Sequence, residues 1–408
     1  MKAFRSASTL GAALGAIASL AAAAVAHAAV TWPDVMILLH GRGHAYLVDT
    51  KTDAVVADLE TVKGGTLGST TPNGKKVYIS GAGEGQRQVV VVDLTKKTVA
   101  GRIETGNRPK HGVVSPNGKW VGINHWGLDN GKLRVSFIDT ATDKVAKVIE
   151  LAVSDPASKA LASMHNAWSY DSSKFFTLDR ISNKLVVINM KDWSMKSFAV
   201  DSVPHYPVPS PDGKELWLVL EGGRPGIVVY DLTKPDMPVK AKLDMPLQGQ
   251  QAVEAHHGNF TQDGKFFLAL NRGPGKSLTG NEVAVFDSAT KKLVTRLETK
   301  SSGIGHAYNT PDGRRAVITN YGNNWISIID LAQMRIVKEM PIGTGRMGHI
   351  AFTKDSRYGY VSSDKDGSLY KLDMASFAVL EKINTPGGLP GAGQVLNVWT
   401  NVFEELPR

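Results

Sequence analysis

The chain of 408 residues contains no cysteine. That absence excludes disulfides, thiolate metal sites, cysteine nucleophiles and covalent c-type haem, whose attachment needs Cys-x-x-Cys-His. It also excludes a lipid anchor on an N-terminal cysteine. Beyond the N-terminal segment no apolar run approaches the roughly 20 residues of a membrane helix, so no membrane span is expected. Gly-x-Ser-x-Gly, His-Glu-x-x-His and EF-hand loops are also missing, which leaves those chemistries without a motif. Acidic residues are the minority, 38 against 47 Lys and Arg, for a net charge of +9. The cations are scattered through turns such as Asn73-Gly74-Lys75-Lys76 rather than gathered in one patch. No nucleic-acid partner is therefore expected.

The N-terminus carries Lys2 and Arg5, an alanine-rich apolar run over residues 10–25, and then Ala26-His27-Ala28. This is the layout of a secretory signal peptide with a small-x-small cleavage site. Residues 1–28 are expected to be removed, leaving a single domain over 29–408 in the periplasm.

That domain repeats itself. Seven turns share one pattern, from Thr71-Pro72-Asn73-Gly74-Lys75 through Ser115-Pro116-Asn117-Gly118-Lys119, Ser169-Tyr170-Asp171-Ser172-Ser173, Ser210-Pro211-Asp212-Gly213-Lys214, Thr261-Gln262-Asp263-Gly264-Lys265 and Thr310-Pro311-Asp312-Gly313-Arg314 to Thr353-Lys354-Asp355-Ser356-Arg357. Proline presets φ and Asn/Asp-Gly tolerates the left-handed region, so each reads as a hairpin turn. A second mark occurs eight times: a Val/Ile-rich run ending at Asp49, Asp93, Asp139, Asn189, Asp231, Asp287, Asp330 or Asp373. The period of roughly 40–55 residues is that of propeller blades. The first copy has strand-like runs at 35–39, 45–49 and 55–59 but lacks the element before its turn. Residues 394–401 supply a spare strand-like run at the other end. The expected fold is an all-β, eight-bladed β-propeller in which this C-terminal strand completes the first blade. A seven-bladed ring is the alternative.

Five residues before the proline position stand Leu67, His111, His165, Tyr206, His257, His306 and His349. With 11 histidines in the chain, chance would place well under one there. This position opens the innermost strand of a blade, so five imidazoles would face one axis. Imidazoles without thiolates suit copper, zinc, iron or nickel. The other reading, that a repeated histidine bonds the neighbouring blade's backbone, stays open. His205 and His256 adjoin Tyr206 and His257. Successive strand residues face opposite sides, so only one of each pair faces the axis unless a bulge intervenes. Glu254 is a candidate to orient an imidazole. Lys110 and Arg346 precede His111 and His349 and are candidates to hold an anion, or else solvated rim charges; Tyr206 joins them as a catalytic candidate. His40 and His125 share a different register, at the end of the second strand. His44 is expected to be an ordinary strand residue.

The Ser-Pro-Asp-Gly-Lys turn and Val-Val-Asp strand resemble the YVTN-type propellers and the haem-d1 propeller superfamily. His165-Asn166-Ala167-Trp168-Ser169-Tyr170-Asp171 with Ser182-Asn183-Lys184-Leu185-Val186-Val187-Ile188 is similar to a blade of the cytochrome cd1 nitrite reductases. Leu396-Asn397-Val398-Trp399-Thr400-Asn401 is similar to that domain's closing strand. The resemblance implies an eight-bladed propeller. It departs at Thr66-Leu67, where those reductases carry the histidine that ligates haem d1, and in having no cytochrome c domain. The histidine ring itself is similar to the propellers of nitrous oxide reductase and thiocyanate dehydrogenase, which hold copper in the centre. That likeness implies His111, His165, His257, His306 and His349 as ligands, with His205 and His256 beside them. The second, cysteine-containing copper domain of nitrous oxide reductase is absent.

Three functions follow as expectations. The first is a periplasmic metalloprotein with a central copper site, an oxidoreductase acting on a small anion and exchanging electrons with a periplasmic partner. The second is a protein that binds or assembles a haem d1-type tetrapyrrole. The third is a non-catalytic propeller that binds a partner protein.

Overall fold

The computed structural model describes residues 30–222, 226–245, 254–273 and 277–397. The expected signal peptide and residues 398–401 of the tail lie outside the described residues. Eight four-stranded antiparallel sheets form the ring. In chain order the blades are 35–60 with 392–396 (blade 1), 67–104, 109–152, 167–199, 203–244, 255–298, 304–341 and 350–384 (blade 8). No helix among the described residues is long and apolar enough to cross a membrane.

The two repeated marks are two kinds of turn. Each of the eight Asp or Asn residues ends the third strand of its blade. In blade 2 the carboxylate of Asp93 accepts the backbone N–H groups of Thr95 and Lys96 at 2.9 and 3.0 Å, and Lys97 turns the chain at φ 55°. Blade 8 repeats this at Asp373, Ala375, Ser376 and Phe377. The side chain thus mimics the backbone of a turn and favours the left-handed residue that follows. In the seven hairpins the Ser or Thr hydroxyl donates to the Asn or Asp two residues on, as in Thr71–Asn73 at 2.7 Å and Ser210–Asp212 at 2.6 Å. Gly74 and Gly213 take the left-handed position at φ 68°; Ser172 and Ser356 take it at φ 59° in the two divergent copies. The pattern survives there because the hydroxyl–carboxylate bond is kept, at 2.6 Å in both Ser169–Asp171 and Thr353–Asp355.

Blades stack face to face, so the middle strands are buried on both sides and read as apolar runs. Val89, Val90, Val91 and Val92 are all fully buried. The outermost strands alternate instead, as in Val55–Glu60. One hydrophobic cluster fills each of the eight blade interfaces. The interface between blades 8 and 1 is filled by Met36, Leu38, Ala351, Leu369 and Val395. Ring closure is made by Ala392–Leu396, which pairs antiparallel with Val35–His40 through Ile37–Leu396, Leu38–Val395 and His40–Ala392. This strand gives blade 1 its fourth member, and the seven-bladed alternative is overturned.

Candidate metal centre

The ladder slips where the innermost strands begin. Register shifts occur between Pro109 and His111, Pro204 and Tyr206, Ala255 and Gly258, and Ile304 and His306. Each shift inserts an extra residue into the inner strand, the definition of a β-bulge. The condition set by strand alternation is therefore met. His205 and Tyr206 are both buried, as are His256 and His257. Blades 3 to 8 contribute seven histidines to one arc: His111, His165, His205, His256, His257, His306 and His349.

The five histidines of the repeat position converge. Ring centroids lie 5.3 Å apart for His111–His165, 4.5 Å for His165–His257, 4.3 Å for His257–His306 and 4.8 Å for His306–His349. His165 and His257 bring their Nε2 atoms to 3.0 Å. His205 lies 5.1 Å from His165 and 4.4 Å from His256. Two ligand triads result, His165–His205–His257 and His205–Glu221–His256, each with donor atoms within 4.8 Å of one another. Tyr206 stands behind this arc, stacked on His257 at 4.8 Å. Tyr308 donates or accepts a 2.6 Å bond at His349 Nδ1.

Burial fixes the charge state. Loss of hydration holds His111, His165, His256, His257 and His349 well below the ordinary imidazole value, and neighbouring imidazoles and Lys110 push the same way. His306 is pushed down to about 3. His205 is lowered by burial as well, against the Glu221 carboxylate that draws it up. At neutral pH all seven are neutral and carry lone pairs, the form a metal needs.

Glu221 is the residue that reading by repeat position missed. Its Oε2 lies 2.7 Å from His205 Nδ1, and its Oε1 is held by Arg180. The expected orienting acid, Glu254, instead pairs with Arg272 at 2.9 Å. Glu221 closes the second strand of blade 5 opposite Val203, the same register as His125 in blade 3 and Asn271 in blade 6. A signal therefore existed: this register had already stood out at His40 and His125. Those two histidines are spent on the fold. His125 bonds Asn107 O at 3.1 Å and Ser136 Oγ at 3.3 Å; His40 bonds Leu389 O at 3.0 Å and Arg42 N at 3.3 Å. His44 sits at the surface, 2.7 Å from Asp58.

Blades 1 and 2 put no histidine on the axis. Thr66, Leu67, Gly391, Ala392 and Gly393 occupy that side and leave a cavity of about 550 Å³. Its opposite wall carries His165, His256, His306 and His349, and its rim carries Lys110, Arg272 and Arg346. Arg346 is paired with Asp364 and Arg272 with Glu254. Lys110 has no acidic partner among the described residues; its ammonium stands 4.1 Å over the Trp126 ring, and burial draws its pKa down to about 8.

The chain matches no family model and no curated protein. Solved structures share its fold. Dihydro-heme d1 dehydrogenase NirN in complex with DHE is 20% identical, with a TM-score of 0.72 over 90% of this chain and 75% of that one. Apo AztD from Citrobacter koseri is 12% identical, with a TM-score of 0.65 over 90% and 99%. Kuenenia stuttgartiensis hydrazine synthase is 17% identical, with a TM-score of 0.58 over 76% and 96%. The likeness expected to the haem d1 propellers is thus present as a likeness of fold.

Proposed function

We propose that this chain is a periplasmic propeller metalloprotein that holds a transition-metal ion, copper first, among its axial histidines and acts as an oxidoreductase on a small anion. The observation that carries the reading is the His165–His205–His257 triad. Donors about 2.0 Å from a tetrahedral ion lie roughly 3.3 Å apart, and His165 and His257 already stand at 3.0 Å. The donor set of imidazoles and one carboxylate, with no thiolate, suits Cu(II) or Zn(II). When bound, such an ion supplies Lewis acidity and, for copper, one-electron chemistry. The chain's own residues do the rest. The inner-strand bulges aim paired side chains into one volume. Burial keeps the imidazoles unprotonated, and Arg180 fixes the Glu221 carboxylate. Lys110 and Arg346 offer charge to an anion in the cavity, and the small residues of blade 1 leave it room.

The test is one preparation from the periplasmic fraction, without chelator or histidine tag. Stoichiometric copper with His165→Ala and His257→Ala abolishing binding, at unchanged circular dichroism, supports the reading. N-terminal sequencing of the same material should begin near Ala29. A second reading, binding of a haem d1-type tetrapyrrole, is favoured by the cavity, which pairs a histidine wall with three basic residues and falls in the ~300–1,000 Å³ range of ligand sites. Long-wavelength tetrapyrrole absorption without copper would select it. A colourless, metal-free protein that gains nothing on reconstitution sinks both and leaves a protein-binding propeller.

A further inference from the structure

The two triads share one residue, His205. We infer that the centre is a two-ion site in which the His205 imidazole bridges, Nδ1 to an ion held with Glu221 and His256, Nε2 to an ion held with His165 and His257. This rests on the metal-binding reading above and deepens it by adding a second cation site with a carboxylate in its ligand set.

Three features of the structure point to it. His205 is 1% exposed, and neither of its ring nitrogens has a hydrogen bond among the described residues. Nδ1 and Glu221 Oε2 approach to 2.7 Å as an ion-pair contact, but in an alignment that makes no hydrogen bond. Buried polar atoms left this way are costly, and a cation between them would satisfy both. His256 Nδ1 is likewise buried and unpartnered. Glu221 is prepared to act as a ligand through one oxygen only. Arg180 binds its Oε1 and anchors itself through Nη1 to Pro204 O at 2.9 Å. That leaves Oε2 turned to His205, the arrangement in which an outer partner orients a metal-binding carboxylate. The charges around the pair balance one another and do not oppose a second dication. Two arginines, Arg180 and Arg272, face two glutamates, Glu221 and Glu254. A bridging imidazole that has given up its N–H proton to solvent adds a further negative charge.

The full mature protein, stripped of metal and reloaded with excess Cu(II) and then desalted, should retain two ions per chain by elemental analysis. Glu221→Gln, the near-isosteric change, should retain one, and His256→Ala should do the same by a route that leaves the Arg180 pair intact. His205→Ala should bind neither tightly. Electron paramagnetic resonance adds a readout that folding alone does not move. Fully loaded wild type should give well under two spins per two coppers, because the bridge couples them, whereas either single-site variant should give one full spin. One ion per chain in wild type, or two in both Glu221→Gln and His256→Ala, overturns the two-ion site and leaves the three-histidine reading standing. No retained copper in any form overturns both.

Discussion

Lys110 is set apart from its neighbours by what it lacks. Arg346 and Arg272 line the same cavity but each already holds a carboxylate. Lys110 has none among the described residues and rests on Trp126. A hydrogen bond to a charged group contributes about 1.5–3 kcal/mol, so an anion that reaches Lys110 should depend on it strongly. Lys110→Met should weaken azide binding to the copper-loaded protein by roughly 10- to 100-fold, read as a shift in the visible titration midpoint. Arg346→Met should weaken it several-fold less, since the Arg346 charge is already offset by Asp364; equal effects would remove Lys110 from its assigned place. The five ring histidines were legible because the repeat keeps them in phase with its turns. His205 and His256 were legible as candidates only, because their direction depends on a bulge, and a bulge is set by how two strands pair rather than by either strand's residues. Glu221 was not found because its register is shared by His125, Asn271 and Asn320, a mixture whose chemistry shows no common theme.

The elements of the fold are tied together by carboxylates that accept N–H groups, and this sets how acid acts on them. Asp49, Asp93, Asp231, Asp287 and Asp373 all lie below the ordinary carboxylate value of 3.8, held there by backbone N–H and hydroxyl donors of their own turns. A carboxylate lowered on folding stabilises above its unfolded value and loses that contribution as pH falls through the folded one. Buried imidazoles follow the same sign from a higher starting point. His125 is pushed from 6.5 to about 3 by burial in blade 3. Between those values the unfolded chain takes up a proton that the folded chain refuses, at about 1.4 kcal/mol per pH unit for each such histidine. Acid should therefore weaken the metal-free protein in two windows, one opening below pH 6.5 and one below 3.8. Urea midpoints from pH 7 to 3 check this. Asp373→Asn keeps the side-chain acceptor and should flatten only the lower window; a change in the upper one would refute the assignment. The turns themselves were legible residue by residue, since Asp, Asn and Gly mark them locally. The bulged strand starts were not, for the pairing reason already given.

At the scale of the whole molecule the chain must hold a closed ring without any covalent cross-link. Eight copies of the Asp-ended strand against seven hairpin turns showed where the ring joins, because a blade short of one strand at the start needs one from the end. The closing strand is a small part of the chain but sits at the interface on which all others depend. Val395 and Leu396 are fully buried, and the pairing with Val35–His40 covers what would otherwise be an open edge. Burying a side chain of that size contributes about 1.5–3 kcal/mol, so these two alone supply roughly 3–6 kcal/mol against a typical net stability of about 5–15 kcal/mol. Losing them also opens the cluster shared by blades 8 and 1 and removes Ala392 and Gly393 from the cavity wall. A chain ending at Leu389 should therefore melt roughly 4–8 °C lower, by a scaling of about 1–2 °C per kcal/mol for a domain this large, self-associate through the exposed edge, and lose retained copper together with the fold. A synthetic peptide of residues 386–408 added during refolding should restore both by pairing with that edge as a strand. Melting indistinguishable from the full chain would show that the inter-blade clusters hold the ring unaided. Rescue of the melting temperature without rescue of copper would separate closure of the ring from assembly of its centre.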